Sequence, residues 1–217
     1  MATAEKLQAL YDAMFATYGP QHWWPGDTPT EIIIGAILTQ NTAWRNVERA
    51  IENLKNASAL NWLDLRDLPH EQLAELIRPA GYFNVKTRRL KAFVQWLWDS
   101  YNADLDRMFA TPLHSLREEL LSINGIGRET ADSILLYACG LPTFVVDAYT
   151  ARILTRHRLI DETADYDEIK ELFESSLPDN VQLFNEYHAL LVHVGKEHCR
   201  PKPRCSGCPL ESFVHEV

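Results

Sequence analysis

Three of the four cysteines lie close together near the C-terminus, in the order Cys199-x5-Cys205-x2-Cys208. In a cytosolic chain, thiols at such short spacings indicate a metal or cluster site before they indicate disulfides. The fourth cysteine, Cys139, falls in an apolar helical segment, where a thiol behaves as a small hydrophobic side chain. The spacing therefore predicts a metal or cluster site near the C-terminus.

Two glycines at alternate positions, Gly125 and Gly127, mark a tight turn between two helical segments. Glycine permits positive φ, so backbone N–H groups of the turn can point outward together at the N-terminus of the next helix. Such a turn binds an anion, for instance a phosphate, without net positive charge. Ile126 would anchor the turn by packing between the helices, and Arg128 follows directly. The alternative interpretation is a plain helical hairpin.

Asp147 ends the apolar run Val145-Val146 and begins another helical segment, 20 residues after Gly127. An aspartate there can act as a helix N-cap, which contributes about 1 kcal/mol. Its carboxylate can also stabilise a developing positive charge and orient or deprotonate a water molecule. Taken alone, the residue favours the capping role.

Helical periodicity, close to 3.6 residues, runs through almost every segment that must position these residues. No segment alternates convincingly with a period of two, so we predict an all-α fold of about ten helices with short loops. The predicted helices cover residues 7–18, 28–38, 47–54, 69–78, 85–101, 111–122, 128–138, 148–157, 167–177 and 181–197. Pro79 should end the fourth of them at Arg78.

The size and composition are those of a globular protein. The chain has 217 residues, of which 46% are hydrophobic and 24% charged, and this excludes a disordered chain. No apolar run approaches the roughly 18 residues of a membrane span, and Glu5 and Lys6 interrupt any N-terminal signal sequence. We therefore expect a cytoplasmic protein, nucleoid-associated if bacterial or archaeal.

The net charge of −9 argues by itself against a nucleic-acid partner, because phosphate binding depends on Lys and Arg. Basic residues nevertheless cluster in two short segments, residues 86–91 and 196–204. The net charge therefore leaves a DNA partner open.

The hairpin, the Gly/Pro loop at Gly140-Leu-Pro142 and the aspartate, in this order, resemble the signature of the helix-hairpin-helix, Gly/Pro-Asp superfamily of DNA glycosylases. The resemblance extends across nearly the whole chain. It includes Gln40, similar to a glutamine that wedges into the duplex, and the C-terminal cysteines, similar to the iron–sulfur loop of the endonuclease III branch. It implies that Asp147 is the catalytic residue.

The resemblance also implies two helical lobes with the active cleft between them. One lobe would be a central helical barrel of residues 23–139 with the hairpin, and the other would combine residues 1–22 and 140–217 with the cysteine loop. The implied partner is double-stranded DNA containing a damaged base, bound by a monomer without any membrane.

Three positions indicate the branch of the family. Glu129 stands where bifunctional members have a lysine, and a carboxylate cannot form a Schiff base. Ala36 stands where the adenine glycosylase of mismatched pairs has a glutamate. The closer likeness is to 3-methyladenine DNA glycosylases of the endonuclease III-like branch, which share the turn at residues 78–82. The residues that this likeness places around the substrate base are Trp23, Trp24, Pro25, Trp44 and Glu129.

The implied function is that of a monofunctional DNA glycosylase of base excision repair that hydrolytically excises an alkylated purine such as 3-methyladenine. Such a base is cationic and already a good leaving group, and aromatic faces bind it through cation–π contacts. Two alternatives remain open. One is a bifunctional endonuclease III-type oxidised-pyrimidine glycosylase and AP lyase that uses another amine, and the other is a non-catalytic DNA-structure binder.

The cysteine loop departs from the family motif Cys-x6-Cys-x2-Cys-x5-Cys, because its first spacing is one residue shorter and Val214 stands at the fourth position. Cys199, Cys205 and Cys208 could still hold a [4Fe-4S] cluster with a fourth ligand from elsewhere, and His215 is the nearest. A three-iron cluster, a Cys3His zinc site and a loop without metal are the alternatives.

Basic residues in the same loop imply contact with the DNA backbone, as in the family. The residues expected to bind DNA are Gln40, Gly125, Ile126, Gly127, Arg128, Arg200, Lys202 and Arg204. The resemblance also allows a metal ion where the hairpin meets a phosphate.

Overall fold

The computed structural model describes residues 2–216, and within that range the regular secondary structure is all helical, without strands. The predicted all-α fold is therefore confirmed. The helices are α1 (Thr3–Tyr18), α2 (Pro29–Leu38), α3 (Trp44–Asn56), α4 (Trp62–Asp67), α5 (His70–Leu76), α6 (Phe83–Tyr101), α7 (Leu105–Phe109), α8 (Leu113–Ser122), α9 (Arg128–Ser133), α10 (Ala148–Arg156), α11 (Tyr166–Ser176) and α12 (Val181–Glu197). None of these helices is both long and apolar enough to cross a membrane.

Two short helices, α4 and α7, are absent from the predicted set. Each is too short to show a clear period, but each has a polar N-cap. Asn61 accepts a hydrogen bond from the Asp64 N–H, and Asp104 accepts from Arg107 N–H. These caps were the available sequence signal for both helices.

The structure also corrects the ends of predicted helices. α5 ends at Leu76, before the predicted Arg78, and Pro79 lies in a 3-10 turn of residues Arg78–Ala80. The helix predicted for residues 128–138 is α-helical only to Ser133 and then widens into a π-helical turn, Ile134–Ala138. There the Cys139 N–H donates to the Ile134 carbonyl, five residues back.

Two compact units make up the chain. One comprises Pro25–Leu141, and the other combines the residues up to Trp24 with those from Pro142 onward. The expected lobes had their boundaries two residues earlier at both junctions.

In the Pro25–Leu141 unit, α2 is the central helix. From Ile32 to Leu38 it is apolar on all sides, with Ile33, Ile34, Ala36 and Ile37 all buried, as expected for a helix surrounded by others. It contacts α3, α6, α9 and the π-helical turn. The segment that follows α2 and carries Gln40 is therefore held by the core of this unit.

In the other unit, α12 contacts both α1 and α10. α10 and α12 approach closely at Gly195, where an added Cβ would collide with the Tyr149 side chain. Any larger residue at 195 would push the helices apart. This close approach sets the position of α12 side chains relative to the start of α10.

Candidate active site

Asp147 is the N-cap of α10. Its Oδ1 accepts hydrogen bonds from the Thr150 N–H at 2.7 Å and the Thr150 hydroxyl at 2.9 Å. The preceding run is fixed by packing, because the buried Phe144 ring stacks on Phe173 with centroids 3.7 Å apart. Capping therefore occupies one carboxylate oxygen, and the other, Oδ2, faces a different partner.

That partner is His188 on α12, whose Nε2 lies 3.7 Å from Asp147 Oδ2. At this distance the two groups attract each other electrostatically when the imidazole is protonated, without a tight hydrogen bond. Burial alone would raise the Asp147 pKa, but His188 and the hydrogen bonds from Thr150 outweigh burial and hold the pKa below its ordinary value. The site therefore keeps a buried carboxylate charged.

His188 is not among the residues predicted from the sequence. It is only 4% exposed, and in the sequence it is one of two histidines on an amphipathic helix, the other being His193. No spacing rule connects residues 147 and 188, so only packing of α12 against α10 brings the two side chains together.

Replacing His188 by Phe should move the acid limb of the pH–activity profile to higher pH. The family resemblance assigns catalysis to the Asp147 carboxylate, and for such a group the acid limb of kcat/KM reports its pKa in the free enzyme. Without His188 only the hydrogen bonds from Thr150 oppose burial, so the Asp147 pKa rises relative to the wild type and activity is lost at a higher pH as the pH falls. The measurement is kcat/KM across pH for His188→Phe and the wild type.

The control is His193→Phe on the same helix, because the His193 ring contacts Gln21 and Tyr18 instead. An unchanged acid limb in His188→Phe would contradict the role of His188.

The predicted hairpin joins α8 to α9, with Ile126 buried in the unit's core. Ile126 therefore serves the turn through packing, as an anchor. Gly125 has φ +90°, which only glycine adopts freely, whereas Gly127 has φ −94° and an extended backbone. Gly127 is the N-cap of α9. Arg128 and Glu129 are exposed in the first turn of α9.

Gln40 lies directly against this hairpin. Its Nε2 donates to the Gly125 carbonyl at 3.1 Å and the Thr130 hydroxyl at 3.0 Å. Its Oε1 accepts from the guanidinium of Arg89, a residue of α6. The structure thus brings the predicted wedge glutamine and the predicted phosphate-binding turn together.

The predicted pocket tryptophans divide between the two units. Trp23 and Trp24 belong to the unit with Asp147 and meet edge to face, with ring centroids 5.5 Å apart. The Lys196 ammonium lies 5.8 Å from the Trp23 ring centroid. Trp44 begins α3 in the other unit, half-buried against its core, and Pro25, in that unit too, is exposed.

The three clustered cysteines line one small, partly open cavity of about 20 Å³ together with His215. Burial raises the pKa of the Cys208 thiol, and the neighbouring Cys199 and Cys205 add to this effect. In the described part of the chain, however, no three His, Cys, Asp or Glu side chains converge on a point that could hold a metal ion. The loop as it stands contains no preformed single-ion zinc site.

Two arginines of α10, also missed in the sequence, support this loop. Arg152 donates to the Cys199 carbonyl at 2.6 Å. Arg156 donates to the Cys199 Sγ at 3.2 Å and to the Arg200 carbonyl at 2.7 Å. The predicted DNA-contacting side chains of the loop, Arg200, Lys202 and Arg204, are exposed.

The known proteins that this chain resembles agree on one family. Residues 34–179 match the profile of the HhH-GPD superfamily, described as base excision DNA repair proteins. The chain is 48% identical over 211 residues to a protein of Methanocaldococcus jannaschii assigned as a DNA repair glycosylase, and the match covers 96% of each chain.

Two solved structures extend the comparison. An H. pylori 3-methyladenine DNA glycosylase bound to 1,N6-ethenoadenine is 31% identical and superposes with a TM-score of 0.75, covering 91% of this chain and 98% of that one. A trapped endonuclease III–DNA covalent intermediate has a TM-score of 0.83 at 24% identity, covering 97% of this chain and 94% of that one. The second likeness establishes a shared fold.

Proposed function

Because the chain belongs to the helix-hairpin-helix, Gly/Pro-Asp (HhH-GPD) superfamily and is a DNA glycosylase of base excision repair, we propose that it is a monofunctional enzyme for alkylated purines such as 3-methyladenine. Its partner in this proposal is double-stranded DNA containing the damaged base. The observation that carries the proposal is Asp147, a carboxylate kept charged by His188 and Thr150 despite burial.

The proposed reaction breaks the C1′–N bond of a flipped-out nucleotide. The bonding electron pair leaves with the base, which neutralises the positive charge of an alkylated purine. Asp147 stabilises the cationic sugar through Oδ2, since Oδ1 is occupied by Thr150. A water oxygen then bonds to C1′, and its proton passes to the carboxylate or to solvent.

Glu129 supports the monofunctional assignment. It occupies the position of the Schiff-base lysine, at the exposed first turn of α9, and a carboxylate cannot form the imine. Borohydride should therefore trap no covalent adduct with DNA containing an abasic site, with endonuclease III as the positive control. A trapped adduct would favour the bifunctional alternative.

The alkylpurine class is supported by the aromatic residues and by the 31% identity to the H. pylori 3-methyladenine DNA glycosylase. A cationic base gains about 0.5–2 kcal/mol from each desolvated aromatic face. The direct test is a panel of duplexes with single alkylated, oxidised or deaminated bases. We expect excision of the alkylated purines, and preferential excision of oxidised or deaminated bases would contradict the proposed substrate class.

Trp44→Ala should lower kcat/KM for the alkylated base by roughly 10- to 30-fold, which corresponds to one lost stacking contact of about 1–2 kcal/mol. Trp44→Phe should keep most of the activity, because a π face remains. Affinity for undamaged duplex, measured by fluorescence anisotropy, should hardly change, since it depends on phosphate contacts. Because Trp44 also packs on the unit's core, circular dichroism must show that the variant is folded. Unchanged excision in folded Trp44→Ala would assign Trp44 to the core alone.

DNA binding in this proposal uses the hairpin, with Gln40 as the wedge, and the exposed basic side chains of the cysteine loop. Gln40 would fill the space left by the extruded base, and the backbone of the hairpin would hold a phosphate. Each neutralised phosphate makes affinity more salt-dependent. Replacing Lys202 by Ala should therefore reduce the salt dependence of binding without changing lesion preference.

We propose that the cysteine loop holds a [4Fe-4S] cluster. Three thiols share one cavity, and the Arg156 guanidinium at the Cys199 sulfur suits a negatively charged ligand set. His215 is suited to be the fourth ligand, because its Nδ1 contacts the Phe213 carbonyl at 2.7 Å and this leaves Nε2 for ligation. When bound, the cluster would hold the loop and its basic side chains in one conformation.

The cofactor proposal is tested by iron and sulfide analysis of anaerobically purified protein. We expect both elements in the wild type and neither in Cys205→Ser. Colourless protein with zinc, or without metal, would remove the cluster and leave the glycosylase proposal intact.

A further inference from the structure

Lys86 is an almost fully buried lysine on α6, with 1% of its surface exposed. Its ammonium donates to the Leu38 carbonyl at 2.7 Å, to the Ala80 carbonyl at 2.7 Å and to the Thr42 hydroxyl. An ammonium has three hydrogens, so these three acceptors use its full donor capacity. Lys86 is therefore part of the packed interior of the Pro25–Leu141 unit.

The acceptors lie where helices end. Leu38 is the last residue of α2, and Ala80 is the last residue of the 3-10 turn. Carbonyls at such ends lack helical partners and carry the negative end of the helix dipole, so a cation is favoured there. Burial and the charge of Arg89 lower the Lys86 pKa to about 8, and no carboxylate of the described residues 2–216 is among its hydrogen-bond acceptors.

Two of the residues that accept hydrogen bonds from Lys86, Leu38 and Thr42, lie on either side of Gln40 in the sequence. We define the wedge segment as residues 39–42, which follows directly after Leu38 and ends at Thr42. The segment turns sharply, with the Thr42 N–H donating to the Thr39 carbonyl and Asn41 at φ +53°. Thr42 also donates to the Ala80 carbonyl at 2.6 Å. Lys86 therefore fixes the backbone of this turn from both sides.

Arg89, one helical turn after Lys86, holds the Gln40 side chain. Its guanidinium donates to Gln40 Oε1, while its aliphatic part lies over Gly125, where an added Cβ would collide with the Arg89 Cγ. α6 thus fixes the backbone of the wedge segment through Lys86 and the Gln40 side chain through Arg89. The hairpin completes this arrangement through Gly125 and Thr130.

We infer that Lys86 is a positioning residue for lesion extrusion, which holds the wedge segment so that Gln40 can enter the duplex. This inference rests on the proposed function, and it assigns Lys86 no contact with DNA. If an apolar side chain replaced Lys86, its three acceptors would lose the ammonium, the Ala80 carbonyl would keep only the hydrogen bond from Thr42, and the turn would be free to shift. Misplacement of a working group by about 1 Å can cost on the order of 100-fold in rate.

The test compares Lys86→Met with the wild type on one alkylated purine in duplex and in single-stranded DNA. Only the duplex has a paired base to displace. We expect single-turnover excision to fall roughly 10- to 100-fold on the duplex and less than about 3-fold on the single strand. A loss of folding or of the catalytic site would lower both rates equally.

Lys91→Met is the matched control. Lys91 lies on the same helix and also donates to backbone carbonyls, those of Arg66 and Leu68, but it contacts no residue of the wedge segment. This variant should behave like the wild type on both substrates. Thr42→Val removes one of the three acceptors without touching the lysine and should show a smaller, duplex-specific loss. It replaces Lys86→Met if that variant does not fold.

A double-variant cycle connects Lys86 to Gln40. Gln40→Ala should show the same duplex-specific loss, and combining it with Lys86→Met should add little, because both changes remove one function. Additive losses, or equal losses on duplex and single strand, would overturn the inference.

A second readout is independent of the substrate class. Fluorescence of 2-aminopurine opposite an abasic-site analogue reports insertion of the wedge without any excision. Lys86→Met should reduce this signal, and Lys91→Met should not. If the wild type excised no lesion of the panel, the proposed function would fail, and this signal would still decide the role of Lys86.

Discussion

Asp147→Asn is expected to lower single-turnover excision by about 10²- to 10⁴-fold, the range typical of a lost catalytic base. Asparagine is as good an N-cap as aspartate, so the Thr150 hydrogen bond and the start of α10 should survive. What disappears is the charge at Oδ2, which in the proposed mechanism stabilises the cationic sugar only in the transition state. Binding to lesion-containing duplex should therefore be retained or slightly improved.

The experiment measures excision and affinity on the same alkylated duplex. Thermal unfolding of Asp147→Asn should match that of the wild type, which separates the catalytic role from the capping role. If Asp147→Ala lowered stability while Asp147→Asn kept full activity, Asp147 would be a cap and nothing more.

The second large effect concerns stability. Asp132 on α9 is fully buried and accepts two hydrogen bonds from Arg117 on α8, at 2.8 and 3.1 Å. The pair joins the two helices on either side of the hairpin. Asp132→Ala should lower the free energy of unfolding by about 3 kcal/mol, because it leaves a largely buried guanidinium without its carboxylate.

Urea unfolding gives this free energy from the shift in midpoint. Asp67→Ala is the control, since Asp67 pairs with Arg66 at the surface, and exposed pairs contribute little. An equal effect of the two substitutions would show that burial of the Asp132 pair is without consequence. Addition of lesion-free duplex should partly restore Asp132→Ala if the hairpin binds DNA.

The helices and the order of motifs were accessible from the sequence because they depend on local pattern. A 3.6-residue period identifies a helix wherever it persists for several turns, as in α1, α6 and α12. It fails for α4 and α7, which are about one turn and a half long. The change from α- to π-helical turn after Ser133 left no local signal either.

The residues of the candidate site likewise fall into those that the sequence predicted and those that only the structure revealed. Asp147, the hairpin glycines and the three cysteines carry their chemistry in residue type and spacing, so the sequence identified them as candidates. His188, Arg156 and Lys86 do not, because their significance depends on which distant residue they meet. A buried lysine and an exposed one look the same on an amphipathic helix.

The sequence alone therefore determined that the chain is helical and which glycines, carboxylate and thiols could do chemistry. Tertiary structure decided which groups support them. Asp147 stays charged because α12 packs close enough to α10 to bring in His188. The wedge segment is held because α6 passes the end of α2 and the end of the 3-10 turn. There the Lys86 ammonium donates hydrogen bonds to the last carbonyl of each. Both effects arise from desolvation and from contacts between residues far apart in the chain, and neither property exists until the helices pack.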